Sequence, residues 1–396
     1  MTQKSEIFSS ALEILETLIS FDTTSRHSNL ALIKWVEDYL SSHGVSSHRV
    51  PNASGNKANL FASIGAADNP AQVTGGVILS GHSDVVPVDG QDWRTDPFAL
   101  TAGQHDGMDV LFGRGTCDMK GFIALALAAV PLFKLGAKPV HLAISYDEEI
   151  GCKGAPDMIA RMAQNIATPR AAIIGEPSMM KVVNGHKGIS LYEVEVLGHE
   201  AHSSLTHLGI SANMVAVELM YDLAQLARSL WESADPNSPF VPPHATLTIG
   251  EIHGGTASNI LARQCKFIFD LRCPPGQDAE EIIAPFKAKV EALNAELSNA
   301  FEGAGISINR HSNAPAMPPK AGSDIEDFVR SLTGENTASG VVSYATEGGQ
   351  FAAAGFPSVI CGPGSIEQAH QPNEYILRSE MEKGAAFMER LAAALR

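Results

Sequence analysis

The chain has 396 residues and carries 28 Lys and Arg against 44 Asp and Glu, a formal charge of −16 at pH 7. An acidic excess of this size excludes the basic stripe that a nucleic-acid binder uses to displace phosphate counterions. With 44% hydrophobic and 18% charged residues the sequence fills sizeable cores, and its length fits roughly two domains better than one.

The first elements are helical. Ile7, Ala11, Ile14, Leu15, Leu18 and Ile19 recur at helical spacing, and a second periodic run covers 29–42. The opening residues hold no apolar stretch of signal-peptide length, and no run of about 18 apolar residues occurs, so a cytoplasmic protein that neither enters nor spans a membrane is expected. Five scattered cysteines, odd in number and without a CxxC pair, read as reduced thiols, not as a disulfide framework or a thiolate zinc site. After the turn-rich segment 51–56 the chain changes to short apolar runs broken by Gly, Pro and Asp. Four of these share a property. Val77–Ser80 leads into His82 and Asp84, Val140–Ser145 into Asp147, Glu148 and Glu149, Ala171–Ile174 into Glu176, and Ser358–Cys361 into Gly362 and later His370. Each reads as a buried strand of a mostly parallel sheet with polar groups just past its C-terminal end, the edge at which open α/β sheets bind ligands. A helix is expected over 119–135, with Phe122, Leu125, Ala126, Ala129 and Phe133 on one face, and this alternation argues for an α/β layered domain.

The middle of the chain has a different rhythm. Ile189–Val196 alternates with period two, a long helix follows over 209–232, two strands over 245–252 and 264–271, a helix over 278–298, and a last strand over 305–310. This β-α-β-β-α-β order predicts a ferredoxin-like α+β insert at 183–312, interrupting a discontinuous first domain of 1–182 and 313–396.

Taken alone, His82-Ser-Asp84 says little, because on the order of one or two such His-x-acid triplets arise by chance in this composition. On a strand end, however, side chains at i and i+2 point the same way, so Asp84 can hold one ring nitrogen of His82, or its backbone surroundings, while the other nitrogen meets a metal. The glycine-rich segment 113–121 lacks the spacing of a phosphate loop, and Asp118 within it is either a helix cap or a carboxylate that bridges two cations. Asp147, Glu148 and Glu149 form either a solvated loop or a buried cluster that needs a cation or a proton to compensate it. Together His82, Asp118, Glu149, Glu176 and His370 supply two imidazoles and three carboxylates, a set suited to a pair of divalent ions such as zinc, cobalt or manganese. Glu148 is left over as an unligated base.

These motifs, in this order and spacing along nearly the whole chain, resemble the M20 family of co-catalytic metallopeptidases and amidohydrolases. The resemblance implies His82, Glu176 and His370 as terminal ligands, Glu149 as ligand to one ion and Asp118 as the bridge. It implies Asp84 as the orienter of His82, and Glu148 as the general acid/base for a water between two metal ions, with zinc expected first. It makes the insert a lid and dimerisation domain of a homodimer. The segment Gly198–Ser204 matches the family's lid histidine motif, which places His202 near the substrate carbonyl oxygen, often from the partner subunit. Gly254–Asn259 and Asp270–Arg272 match lid positions whose Asn259 and Arg272 hold a substrate carboxylate, and Gly348 and Gly349 are assigned to the substrate pocket. The implied activity is hydrolysis of the amide bond of a small N-acyl amino acid. Gly362–Tyr375 follows the members that deacetylate N-acetylornithine, so that substrate is expected first, with N-succinyl-diaminopimelate, other N-acyl amino acids and dipeptides as alternatives. A non-catalytic metal- or solute-binding homologue is the alternative from another class, and Glu148 argues against it because binding alone does not need a free base.

Overall fold

The computed structural model describes residues 6–66, 69–320, 322–334 and 336–396. The chain divides into two compact units, one running to Gly185 and resuming over Met317–Val341 and Thr346–Arg396, the other formed by His186–Ala316 with Val342–Ala345. The insert expected at 183–312 can be compared with the second unit, which also takes in four residues far along the chain.

The first unit is built on a sheet whose strands lie in the order Ser47–Pro51, Ala58–Ile64, Val140–Ser145, Val77–His82, Ala171–Pro177, Ser358–Gly362, Val183–His186 and Gly340–Val342. The four motif-bearing strands are its centre and pair in parallel, while the pairs of Ala58–Ile64 with its two neighbours and of Ser358–Gly362 with Val183–His186 are antiparallel. Every residue of Val77–His82 and of Val140–Ser145 is buried, which is why these strands read as mostly apolar runs without a polar face. Register then aligns their ends: His82 sits beside Ser145, and Gly362 beside Pro177. The polar residues that follow each strand are thereby gathered along one edge.

The helices Glu6–Ile19 and Leu30–Ser42 form where the spacing predicts them and bury the predicted apolar faces. The single helix expected over 119–135 is instead broken. Asp118 and Met119 have non-helical backbone angles, Gly121–Ala128 is a helix, and a short turn Val130–Phe133 follows. Pro131 has no N–H for the carbonyl of Leu127, which accepts a hydrogen bond from the Tyr39 hydroxyl at 3.1 Å. All residues of Gly121–Ala128 are buried, so the segment presents no polar face to solvent. A separate antiparallel sheet, Thr101–His105, Met108–Phe112 and Tyr375–Leu377, brings the glycine loop after Phe112 against the segment before Tyr375. There the Gly113 N–H donates to the Glu374 carbonyl at 3.0 Å.

The second unit is an antiparallel sheet in the order Thr246–Gly254, Gln264–Cys273, Gly188–Leu197, Gly305–Ala314, with helices Ala212–Glu232 and Ala279–Ala300. Tyr192, Val194, Val196, Phe267, Phe269 and Leu271 pack with the helices in one core, and the alternate side chains of these strands stay partly exposed. All five cysteines are unpaired and buried. Among the described residues no helix is long and apolar enough to cross a membrane.

Candidate metal centre

His82 ends its buried strand with the ring locked from behind. Its Nδ1 lies 2.8 Å from the main-chain carbonyl of Asp84, and a carbonyl can only accept, so Nδ1 carries the hydrogen and Nε2 faces the site. That Nε2 is 2.9 Å from Asp118 Oδ1 and 3.9 Å from Glu176 Oε1. The other Asp118 oxygen, Oδ2, is 3.4 Å from His370 Nε2, which in turn is 2.9 Å from Glu149 Oε2. One carboxylate thus stands between two imidazoles with an oxygen turned to each. Ligand atoms of His82, Asp118 and Glu149 lie within 4.8 Å of one another, and so do those of His82, Glu148 and Glu176.

Asp84 meets His82 through its main-chain carbonyl, while its carboxylate Oδ1 is 3.7 Å from Nδ1. The carboxylate instead accepts from the Ser25 hydroxyl at 2.7 Å and from the N–H groups of Glu148 and Glu149 at 3.1 and 3.3 Å. One residue therefore fixes both the imidazole and the acidic loop. Asp147, the first acid of that loop, turns away and pairs with Lys57.

Sequence reasoning missed the support of Asp118. Glu374 Oε1 accepts from the N–H groups of Cys117 and Asp118 at 3.0 and 3.1 Å, and Glu374 Oε2 takes Arg114 Nη1 at 2.7 Å. Both charged side chains are 1% exposed. The only signal was an arginine inside a glycine loop, and nothing in the sequence paired it with a glutamate 260 residues away. Glu347 was also passed over. It is buried, its Oε2 lies 3.4 Å from the Ser80 hydroxyl, and burial pushes its carboxyl up to about 7. Gly348 and Gly349 follow it at the start of a short helix, both buried, with the Gly348 N–H donated to the Thr346 hydroxyl at 3.0 Å.

Burial, reinforced by the neighbouring carboxylates, pushes Glu148 up to about 8 and Glu149 to about 7, and raises Glu176 well above the usual range. Burial also works against ionised Asp118, yet the hydrogen bonds from His370 and His82 hold it well below the ordinary carboxylate value. His370 is correspondingly raised to about 11 by Asp118 and Glu149. Buried acids that keep protons for want of a counter-charge, set between two imidazoles, form a donor set that fits two divalent cations.

This has a signed consequence for the metal-free protein. Glu148, Glu149, Glu176, His82 and His370 bind protons more tightly folded than unfolded and outnumber the buried His141, His186 and Lys120, which bind them less tightly, so between about pH 5 and 8 stability falls as pH rises. Chelator-treated protein is expected to unfold at lower denaturant at pH 8 than at pH 5.5, and the opposite order would contradict these electrostatics.

In the second unit His202 is exposed, and its Nδ1 accepts from the Ser204 N–H at 3.2 Å, which places the hydrogen of a neutral ring on Nε2. The Ser203 N–H donates to the Asn259 carbonyl at 2.9 Å, so His202 and Asn259 occupy adjacent turns. Arg272 is elsewhere. Its Nε bonds Asp270 Oδ2 at 3.0 Å, and it opens onto a cavity of about 410 Å³ with Leu191, Thr246, Thr248 and Ile268. Register pairs Arg272 with Thr246, whereas the loop carrying Asn259 joins the opposite ends of the same two strands. Eight residues of extended chain separate Arg272 from Gln264 at that end, about 26 Å. Within one chain, then, the loop carrying Asn259 and the strand residue Arg272 lie toward opposite ends of this hairpin.

The family model described as peptidase family M20/M25/M40 matches residues 78–394. A protein of Buchnera aphidicola subsp. Acyrthosiphon pisum (strain Tuc7) described as acetylornithine deacetylase is 32% identical over 381 residues, which cover 93% of each chain. Among solved structures, the fold is similar to an M20 family metallo-carboxypeptidase of Sulfolobus solfataricus, with a TM-score of 0.72, 17% identity, and coverage of 96% of this chain and 98% of that one. It is also similar to human carnosine dipeptidase 1, with a TM-score of 0.72, 16% identity and coverage of 98% and 99%. A Bacillus subtilis protein described as a dinuclear metal-binding peptidase of the M20 family aligns with a TM-score of 0.58 at 13% identity, covering 98% of both chains.

Proposed function

The chain belongs to peptidase family M20/M25/M40, and on that premise we propose that it is a two-metal amidohydrolase that cleaves the amide bond of an N-acyl amino acid, with N-acetylornithine as the first substrate. The observation that carries this reading is the Asp118 carboxylate divided between His82 and His370, with Glu148 beside it at the same sheet edge. His82, Asp118, Glu149, Glu176 and His370 would hold two divalent ions, zinc with cobalt or manganese as alternatives. When bound, such ions polarise a substrate carbonyl and acidify the attacking water.

The chain's own groups supply the rest. Glu148 takes a proton from the attacking water and returns it to the departing amine, a role open to a carboxylate that stands beside His82 and Glu176 at the same sheet edge. His202 donates from Nε2 to the developing oxyanion, and Arg272 receives the substrate carboxylate as a planar fork. The 32% identical relative described as an acetylornithine deacetylase supports the acetyl substrate. Zinc-loaded protein is expected to show its highest kcat/KM on N-acetylornithine in a panel with N-succinyl-diaminopimelate and dipeptides. A dipeptide ranked first would overturn the substrate assignment.

A homodimer belongs to the same proposal. Thr246–Gly254 is an edge strand, Met214, Val217 and Tyr221 expose a stripe along one helix at 69, 54 and 61%, and Ile252 is exposed on the edge strand itself. In this proposed dimer His202 acts on the site of the partner subunit. If so, mixing inactive His202→Ala and inactive Glu148→Ala proteins under subunit exchange restores up to about a quarter of parental turnover, because one heterodimer in the mixture carries an intact site. Verified heterodimers without activity would contradict it. The proposed compartment is the cytoplasm, supported by the five unpaired thiols.

A further inference from the structure

We propose that Cys152 is a positioning residue for Glu148: its thiol donates a hydrogen bond to Oε1 and leaves Oε2 turned out to take and return the proton. The proposal rests on Glu148 being the proton carrier. Cys152 Sγ lies 3.1 Å from Glu148 Oε1, and among the described residues this is the one hydrogen bond made to that carboxylate. The acidic loop itself dictates the contact. Cys152 has a left-handed backbone with φ of +54°, its N–H donates to the Glu148 carbonyl at 2.7 Å, and its own carbonyl accepts from Gln350 Nε2 at 2.7 Å. With both main-chain groups tied, the direction of the side chain is set, and it points back across one turn at the residue four positions earlier. Cys152 is 3% exposed, and burial together with the Glu148 charge raises its thiol well above the ordinary value, so it stays a donor.

A carboxylate at the end of a strand, held only by its backbone, samples several rotamers, and the proton-transfer oxygen is then misplaced for part of the time. One buried donor on Oε1 selects a single rotamer without entering the ligand set. The role requires a hydrogen on the γ atom, not a thiol as such, so serine is the informative replacement.

In zinc-loaded protein, Cys152→Ala is expected to lower kcat about 10- to 100-fold with KM and metal content unchanged, the scale seen when a partner of an active-site group is removed. Cys152→Ser is expected to recover most of that loss. Both replacements carry a Cβ in the same left-handed backbone, so strain is common to them and the comparison isolates the donor. Equal kcat for the Ala and Ser variants would overturn the proposal. A second reading needs neither variant to fold: in the infrared difference spectrum of Glu148→Gln against the parent, one S–H stretching band moves to higher frequency, because an amide oxygen is a poorer acceptor than a carboxylate. No moving band would overturn the contact. If Glu148→Gln kept its turnover, the base assignment itself would fall, whereas an inactive Glu148→Gln with a fully active Cys152→Ala would remove only the positioning role.

Discussion

Glu148→Gln is expected to bind metal as the parent does and to turn over N-acetylornithine about 10²- to 10⁴-fold more slowly, the range attributable to a positioned proton-transfer group. The residue lies past the end of Val140–Ser145 and its N–H is anchored on Asp84 at 3.1 Å, so the amide keeps the loop in place. What it loses is the ability to take a proton. KM is expected to change little, since Gln matches Glu in volume and no assigned substrate contact is touched. Glu148 also lies within ligand distance of His82 and Glu176, so elemental analysis of the variant matters. Full metal content with near-normal turnover would remove Glu148 from the acid/base role, and lost metal would make it a ligand instead.

The second large effect is structural. Glu374→Ala would leave the Arg114 guanidinium buried without its carboxylate and the N–H groups of Cys117 and Asp118 without an acceptor. Breaking a buried ion pair from one side costs about 3–5 kcal/mol, because the surviving charge stays desolvated. Urea unfolding is expected to show a loss of this size, together with weaker metal binding, as Asp118 is no longer held. Glu374→Gln keeps an oxygen for the two N–H groups and is expected to lose less. Burial raises the Glu374 carboxyl even against Arg114, so the pair serves to hold the Asp118 loop more than to stabilise the fold for its own sake. A Glu374→Ala protein within about 1 kcal/mol of the parent would contradict the anchoring role.

Much of the frame was readable in the sequence because parallel strands buried on both faces leave mostly apolar runs, and each run here is followed by the acid or histidine that its strand delivers to the edge. The alternation of Ile189–Val196 likewise survives as one buried and one open face. What could not be read depends on pairing across the chain. Arg114 and Glu374 show no local pattern, and whether Asp84 meets His82 by carboxylate or by carbonyl is decided by where Ser25 and the acidic loop arrive. Asn259 and Arg272 are 13 residues apart in sequence, yet strand register sets them at opposite ends of one hairpin. The three-residue strand Tyr375–Leu377 is too short to carry a period, and the break at Pro131 was hidden by a helix that is apolar all round.

Titration of metal-free protein with zinc, following both bound metal and turnover of N-acetylornithine, tests the central claim most directly. Activity is expected to be absent at the start, to rise with metal, and to reach its limit at two ions per chain, with protons released as the ions displace them from the carboxyl cluster. Full turnover after complete removal of metal, or a limit reached with no bound ion, would contradict a two-metal amidohydrolase.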